Sequence, residues 1–561
     1  MMKMGISMSL PRGLQGARAA EPTPPARRGG RNALAMIVAA ALLVPACGSD
    51  DSGGSPSARG SDASTSPEVP EIDNEGTVRV LYLVDSTLDP SRLGARTDIM
   101  VVWDTLLYDR DPESGALIDS PLPNLATSYS FAPDGSYLEL KLRSDVTFHD
   151  GTPFDADAVK ANIERQKDYD GGANVAALSS VTDVTVVDPQ TVHLNLAPGQ
   201  GADIPWQLAA TAGMMVSPAC IASGQDIGLD PANCGSGPYL VESYTPGQSI
   251  VLERAPGVHW DPTVGLARRI EWTNVPDQTA KFNALRTGQA DVIHVNVAGW
   301  PTLQDLITEG IAVTPLDPRA SQPYGIAWHA TADLANPLVR EAANLAIDRE
   351  SICQTIMHGA CTVPTTNQPV PENHWTYSQD PGIPRLEYNP TRARELLQEA
   401  GIPNPEITIS VDSGRYAYPP AVQSDLEEVG FHVTLESQPY TDGDAMFRAG
   451  SLQAIAAVPA ATDAEPSVII KSAFVSGKRL VPDTDLPEFN ALVSKCEDPS
   501  LSTAERAELY GEVWAYVAER NYYMIVAFAQ LAFAHSPQIG GVQFASTIVP
   551  DMRRMYIVDE T

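Results

Sequence analysis

Two hydrophobic periodicities alternate along this chain from Thr77 onward. That alternation restricts it to layered folds mixing helices with sheets. Val78, Val80 and Tyr82 alternate with their neighbours, the period of a half-buried strand. Leu138, Leu140 and Leu142 repeat the pattern after the turn Ala132-Pro133-Asp134-Gly135. Val186-Val187, the turn Asp188-Pro189-Gln190, and Val192, Leu194 and Leu196 predict a hairpin. Helical stripes intervene. Asn336-Pro337 gives an N-cap and a proline at the first helical position, ahead of Val339, Ala343, Ala346 and Ile347 on one face. Asn389-Pro390 repeats that start, with the stripe Ala393, Leu396, Leu397 and Ala400 closed by Gly401. Ser502 and Glu505 have capping-box spacing ahead of Leu509 and Val513. No repeat of 20–50 residues occurs, so a solenoid is not expected. The predicted class is α/β or α+β, and 561 residues are enough for more than one lobe.

The amino terminus carries an address. Lys3, Arg12, Arg18, Arg27, Arg28 and Arg31 are opposed only by Glu21. An apolar run from Ala33 to Pro45 follows, short of the roughly 20 residues a membrane-spanning helix needs. It ends on Val44-Pro45-Ala46-Cys47, a small residue before cysteine, which resembles a bacterial lipobox. The expectation is a lipoprotein signal peptide over 1–46, with Cys47 carrying the lipid. A non-lipidated signal peptide is the alternative, and Arg27-Arg28 leaves Sec and twin-arginine export both open. Residues 47–74 are small and polar and predict a flexible tether. Removing residues 1–46 leaves 31 bases against 69 acids, net −38. Such a balance repels polyanions and argues against nucleic-acid binding. The predicted product is an extracytoplasmic protein, lipid-anchored to the bacterial cell membrane.

That compartment is oxidising. Cys220 and Cys234 flank one loop, and Cys353 and Cys361 sit close together after a helical pattern. Disulfides 220–234 and 353–361 are expected, leaving Cys496; five buried thiols are the alternative. No Cys-x-x-Cys occurs and the nine histidines form no zinc-binding pair, so no metal is expected.

One block of motifs is more specific. It begins with Leu125-Ala126-Thr127-Ser128-Tyr129, Asp134-Gly135 and Leu140-x-Leu142-Arg143. Val146-x-Phe148-His149-Asp150-Gly151-x-Pro153-Phe154 and Ala156-Asp157-Ala158-Val159 continue it. Further along come Gly235-Ser236-Gly237-Pro238-Tyr239, Pro276-Asp277 and Leu285-x-Thr287-Gly288-x-Ala290-Asp291-Val292. Val339-Arg340, Ala346-Ile347-Asp348-Arg349, Tyr388-Asn389-Pro390 and the terminal Arg554-Met555-Tyr556-Ile557-Val558 complete the series. In this order, over about residues 77–558, they resemble the family 5 solute-binding proteins of ABC importers, the oligopeptide, dipeptide and nickel group. The residues also have plain structural readings. Phe148-His149-Asp150-Gly151 reads as a turn rather than a catalytic dyad, and Asp155 as a helix cap. Gly235-x-Gly237-Pro238 lacks the Lys-Ser/Thr of a phosphate loop. Asp348-Arg349 reads as a structural ion pair.

The resemblance implies a two-lobed periplasmic-binding-protein-like fold, α/β, with a hinge and an extra subdomain in the first lobe. Projected here, the first lobe covers 75–315, with the subdomain near 110–200. The second covers 316–524, and 525–561 returns to the first. Solute binds in the interlobe cleft and closure presents it to permease subunits. The resemblance implies a monomeric receptor that is not an enzyme and takes no cofactor.

Peptide-binding relatives pair the peptide's ammonium with an aspartate four residues before a proline. Here Glu465-Pro466 sets the register, and the position holds Thr462, with Asp463 one place later. A one-residue shift in an extended segment reverses side-chain direction. Thr462 and Asp463 are therefore both candidates, and recognition of a free amine is open. Other solute contacts expected from position are Ser86 and Thr87 after the first strand, Tyr324 and Trp328 past the first crossing, Tyr416, and Phe528 near the second crossing. The leading reading is a receptor for a peptide or peptide-like solute. Its alternative is a same-fold receptor for a nickel chelate, a glycoside or a modified metabolite. A secreted hydrolase is the remote third, since no Gly-x-Ser-x-Gly or His-Glu-x-x-His occurs.

Overall fold

Two separate sheets, each with its own buried core, organise the molecule into two lobes joined by two crossing segments. The computed structural model describes residues 72–93, 98–169, 172, 174–318, 321–457, 465–475, 479–545 and 549–558. Cys47, Thr462 and Asp463 lie outside the described residues.

The first sheet has seven strands. Thr77–Leu81 is central, parallel to Arg269–Thr273 on one side and to Val292–Val295 on the other. Ala532–His535 pairs antiparallel with Val292–Val295 and with Ala312–Pro315. Val78 and Val80 are fully buried on one face while Arg79, between them, forms an ion pair with Asp291 at 2.9 Å. Burying each valine stabilises the fold by roughly 1.5–3 kcal/mol.

A four-stranded antiparallel sheet forms the extra subdomain: Ala126–Phe131, Tyr137–Leu142, Thr191–Leu196 and Val181–Asp188. Helix Ala156–Asp168 packs on it through Val159 and Ile163, capped by the Asp155 carboxylate on the Ala158 N–H. The turn before it needs Gly151 in the left-handed region, φ +87°. Asp150 accepts the Thr152 N–H and the Ser217 hydroxyl, and His149 Nε2 lies 2.9 Å from the Gly237 carbonyl. The Phe-His-Asp-Gly segment is thus a hydrogen-bonded turn.

The second sheet runs Cys361–Thr362, Tyr523–Ala529, Gln322–Trp328, Ala454–Ala457, Glu406–Val411, His432–Ser437. Every residue of Gln322–Trp328 and Tyr523–Ala529 is buried, as expected of strands covered on both faces. Gly325 is required where they meet, because a Cβ there would lie 1.9 Å from the Met524 carbonyl oxygen. Helices Pro337–Leu345 and Pro390–Glu399 start on the Asn336 and Asn389 caps, and Gly401 follows the second at φ +71°. Ser502 and Glu505 form the reciprocal capping box of Thr503–Arg520.

The Asp348-Arg349 reading needs correction. Asp348 caps the helix Arg349–Thr355, while Arg349 turns inward and donates to the Ile525 and Asn344 carbonyls at 2.7 and 2.8 Å. The guanidinium reaches a carbonyl inside Tyr523–Ala529 where its pairing with Gln322–Trp328 shifts register, so carbonyls rather than the neighbouring carboxylate satisfy it. Disulfides join Cys220 to Cys234 and Cys353 to Cys361, and Cys496 is a buried thiol.

The chain leaves the first sheet at Pro315, enters the second at Gln322, and returns between Ala529 and Ala532.

Candidate functional site

In open α/β sheets, ligands bind beyond the carboxyl ends of the parallel strands. Both sheets offer such a rim. In the first, Thr77–Leu81, Arg269–Thr273 and Val292–Val295 end together. In the second, Glu406–Val411 is parallel to His432–Ser437 and to Ala454–Ala457. The rims meet where Val297 and Ala298, just past Val295, face Tyr324, Met357, Arg415 and Tyr418 around a cavity of about 20 Å³. That space admits one water at most. Val297 shares its buried cluster with Tyr324 and Tyr418, so the lobes are in apolar contact here.

Four tyrosines of the second lobe line this rim. Tyr416 meets Tyr324 edge-on at 5.3 Å, Tyr418 lies 6.0 Å from Tyr324, and Tyr440 meets Tyr416 at 6.2 Å. The Tyr418 hydroxyl donates to the Gly325 carbonyl at 2.6 Å. Arg415 lies over the Tyr440 ring at 4.5 Å and donates Nε–H to the Tyr416 hydroxyl at 3.0 Å. Among the described residues, no carboxylate forms an ion pair with Arg415.

The opposing rim is also basic. His294 is held edge-on between Tyr82 and Phe533, at 5.6 and 5.7 Å, and its Nε2 is buried without a hydrogen bond. Burial, then the nearby charges of Lys281 and Arg415, push its pKa down to about 3. Lys281, on helix Gln278–Arg286, is 6% exposed. Burial pushes its ammonium down to about 8 against the opposing pull of Asp277. Lys281 of the first lobe and Arg415 of the second thus both approach His294 at the interlobe rim. Arg415 is the exposed member of this set, and its remaining N–H donors can meet an anionic group arriving from outside.

The residues expected from sequence fall in different places. Tyr324 and Tyr416 stand on the rim, 8% and 2% exposed. Ser86 is exposed beyond the end of Thr77–Leu81, and the neighbouring Thr87 accepts the Asp89 N–H at 3.3 Å. Trp328 is fully buried, its indole N–H donating to the Asn521 carbonyl at 3.0 Å, which makes it core filling. Phe528 packs into the second-lobe core beside Phe474 and Tyr523. Arg415, Tyr440, Lys281 and His294 were missed. Alternation in Val292–Val295 does place His294 on the face of Val292, and Lys281 interrupts an otherwise apolar helix face; both signals were present.

A surface cavity of about 670 Å³ lies elsewhere, between Asp145–His149 and Arg254–Leu266. Its wall is structural: Asp104 accepts the Ser236 hydroxyl at 3.0 Å and the Trp260 indole N–H at 3.2 Å.

The glutathione-binding protein GsiB of Escherichia coli is 28% identical over 443 residues, 74% of this chain and 82% of its own length. DppA of Helicobacter pylori, solved with the peptide STSA, superposes with a TM-score of 0.73 at 21% identity, covering 86% of this chain and 98% of that one. A dipeptide-binding protein of a Pseudoalteromonas species, solved with Met-Leu, reaches 0.74 at 19% identity, covering 86% and 100%. Both structures share the two-lobed periplasmic-binding fold. Residues 120–478, well over half of the chain, match the bacterial extracellular solute-binding proteins, family 5, and the chain belongs to that family.

Proposed function

We propose that the protein captures a peptide or peptide-like solute with a free carboxylate between its lobes and delivers it to the permease subunits of an ABC importer. The observation that carries this reading is Arg415, a cation on the interlobe rim with an aromatic bed and no acidic partner among the described residues. A guanidinium on tyrosines matches a carboxylate through paired N–H donors. The peptides named in the two solved relatives, and glutathione, all carry such a group. Tyr324 and Tyr416 supply the aromatic floor, and Ser86 and Thr87 the facing rim of the first lobe. Thr462 and Asp463, on the segment after Ala454–Ala457, complete the proposed contacts. Trp328 and Phe528 are left out as core residues.

Cys47 is the proposed lipid anchor, since two or three acyl chains at about 0.8 kcal/mol per buried CH₂ hold a protein on a membrane. Cys47→Ala should release protein from the membrane fraction; unchanged partition would remove the anchor. For the solute, a thermal-shift panel of peptides, their C-terminal amides, nickel chelates and sugars separates the alternatives. Solute at a hundred times its Kd adds about 2.7 kcal/mol of stability. Free-carboxylate peptides should raise Tm and their amides should not. A response confined to chelates or sugars would replace the peptide reading.

A further inference from the structure

One short loop of the second lobe lies where the second crossing, the strand after the first crossing and the first-lobe rim come together. It runs from Cys353 to Cys361 and is closed by the disulfide between them. His358 and Gly359 both take the left-handed region, φ +54° and +75°, and turn the chain back. The Gly359 N–H then donates to the Cys353 carbonyl at 2.9 Å, and the Ala360 N–H to the Met357 carbonyl at 2.8 Å.

Both ends of the loop are fixed to Tyr523–Ala529, the strand that leads into the second crossing. Before the loop, Arg349 donates to the Ile525 carbonyl. After it, Cys361 and Thr362 pair with Ala529 and Phe528. One bond goes further: the Gln530 N–H donates to the Ala360 carbonyl at 2.9 Å, and Gln530 lies in the crossing itself, between Ala529 and Ala532. A two-residue ladder returns little against the entropy of ordering such a loop, and the cross-link removes part of that cost.

The apex of the loop faces the other lobe. Met357, 2% exposed, shares a buried cluster with Val297. Ile356 and Met357 line the cavity of about 20 Å³ together with Val297 and Ala298 of the first lobe and with Arg415. An unbranched thioether suits such an irregular gap. Tyr324, on the same wall, stands two residues past Gln322, where the chain enters the second sheet, so this contact lies beside the hinge. A small displacement there becomes a large one at the outer ends of the lobes. The other disulfide makes the comparison. Cys220–Cys234 closes a loop whose bonds among the described residues stay within the first lobe, such as the Leu88 N–H to the Gly228 carbonyl at 2.8 Å.

We propose that the disulfide-closed loop 353–361 is the pivot of the hinge. Through Met357 against Val297 and Ala298, and through its bond to Gln530 in the second crossing, it holds the first-lobe rim at a set angle to Arg415. Met357 and Gln530 are then positioning residues, which act on the solute only through that angle. The assignment rests on capture between the lobes and not on which solute is captured. Solute-free protein therefore tests it, and the peptide reading can fail separately.

The test is hydrogen exchange and small-angle scattering on the solute-free full chain. The proteins are wild type, Cys353→Ser/Cys361→Ser, Met357→Ala, Met357→Leu and Cys220→Ser/Cys234→Ser. The reporter amides are those of Gly299 and Trp300, in the first lobe, which donate to the Asn296 and Val297 carbonyls. Opening the loop, or trimming Met357 to alanine, should speed their exchange by about tenfold or more and enlarge the radius of gyration. Met357→Leu keeps the volume and should match wild type in both. Cys220→Ser/Cys234→Ser should lower Tm and change neither. If the exchange of Gly299 and Trp300 or the radius stays as in wild type when the loop is opened, the disulfide is a local staple and the assignment is overturned. An equal change in both disulfide variants, or in Met357→Leu and Met357→Ala, overturns it as well. Should Cys353→Ser/Cys361→Ser fail to fold, Met357→Ala against Met357→Leu decides alone.

Discussion

Two buried acid–base knots occupy different parts of the molecule and are finished to different degrees. In the first lobe Asp551 takes Arg553 Nε–H on Oδ1 and Nη2–H on Oδ2, each at 2.8 Å. The Arg553 N–H adds to Oδ1 at 3.1 Å and Gln543 Nε2–H to Oδ2 at 3.4 Å. Both oxygens are used and the ion pair closes on itself. At the contact between lobes, Asp203 and Glu465 are as deeply buried, yet each leaves one oxygen empty. The cations repeat the contrast. Arg340 and Arg349 are wedged against backbone carbonyls, as in Arg340 Nη1–H to the Leu334 carbonyl at 2.7 Å. Arg415 spends one N–H on Tyr416 and meets no carboxylate among the described residues. The Asp551 carboxylate is saturated within its lobe, whereas Arg415 at the interlobe rim keeps N–H donors that the proposed solute carboxylate would take.

The contrast can be broken where it is strongest. Arg553→Met leaves Asp551 charged and buried and should cost about 3–5 kcal/mol of stability in urea unfolding. Solute affinity of the protein that remains folded should not change. Arg415→Gln should do the reverse. Stability should move by less than about 1 kcal/mol, while a free-carboxylate peptide binds about 2–5 kcal/mol more weakly in calorimetric titration. If both variants lose stability alone, the rim is scaffold and the comparison fails.

Lys281 sharpens it through pH. Its folded pKa near 8 lies below the usual lysine value of about 10.4, so the unfolded chain binds more protons between those values. The burial penalty is therefore fully present below pH 8 and is relieved as pH rises toward 10.4. Lys281→Met should stabilise the protein by roughly 2–3 kcal/mol at pH 7, with the gain vanishing by about pH 10.5. Unfolding curves over that range give the answer, and a pH-independent difference would remove the unpaired-cation account of this residue. The smallest effect belongs to Ser502→Ala, which strips the cap from the helix carrying Arg506 and Tyr510 toward Glu465. It should cost about 1 kcal/mol and leave peptide affinity intact.

How much of this was legible in sequence follows from how local each feature is. Caps at Asp155, Asn336, Asn389 and Ser502, the hairpin through Asp188, and the left-handed Gly151 and Gly401 depend on neighbours within a few residues. Alternation and stripes therefore reveal them. Tyr324 and Tyr416 could be placed on the rim because each follows a strand or a crossing. Trp328 could not be told from a binding residue, because four more positions along the strand carry it from rim to core. Asp203 and Lys471 are 268 residues apart and meet only through the lobe arrangement. Arg349 reads as half of an ion pair until the fold brings the Ile525 carbonyl to it.

The central claim is that the interlobe rim reads the solute's carboxylate through Arg415. A four-way titration tests it most directly: a free-carboxylate peptide and its C-terminal amide, each against wild type and Arg415→Gln. The account predicts a large loss for the amide on wild type and almost none on Arg415→Gln, so the two changes are strongly non-additive. Equal losses on both proteins would show that Arg415 and the carboxylate do not meet, and would contradict it.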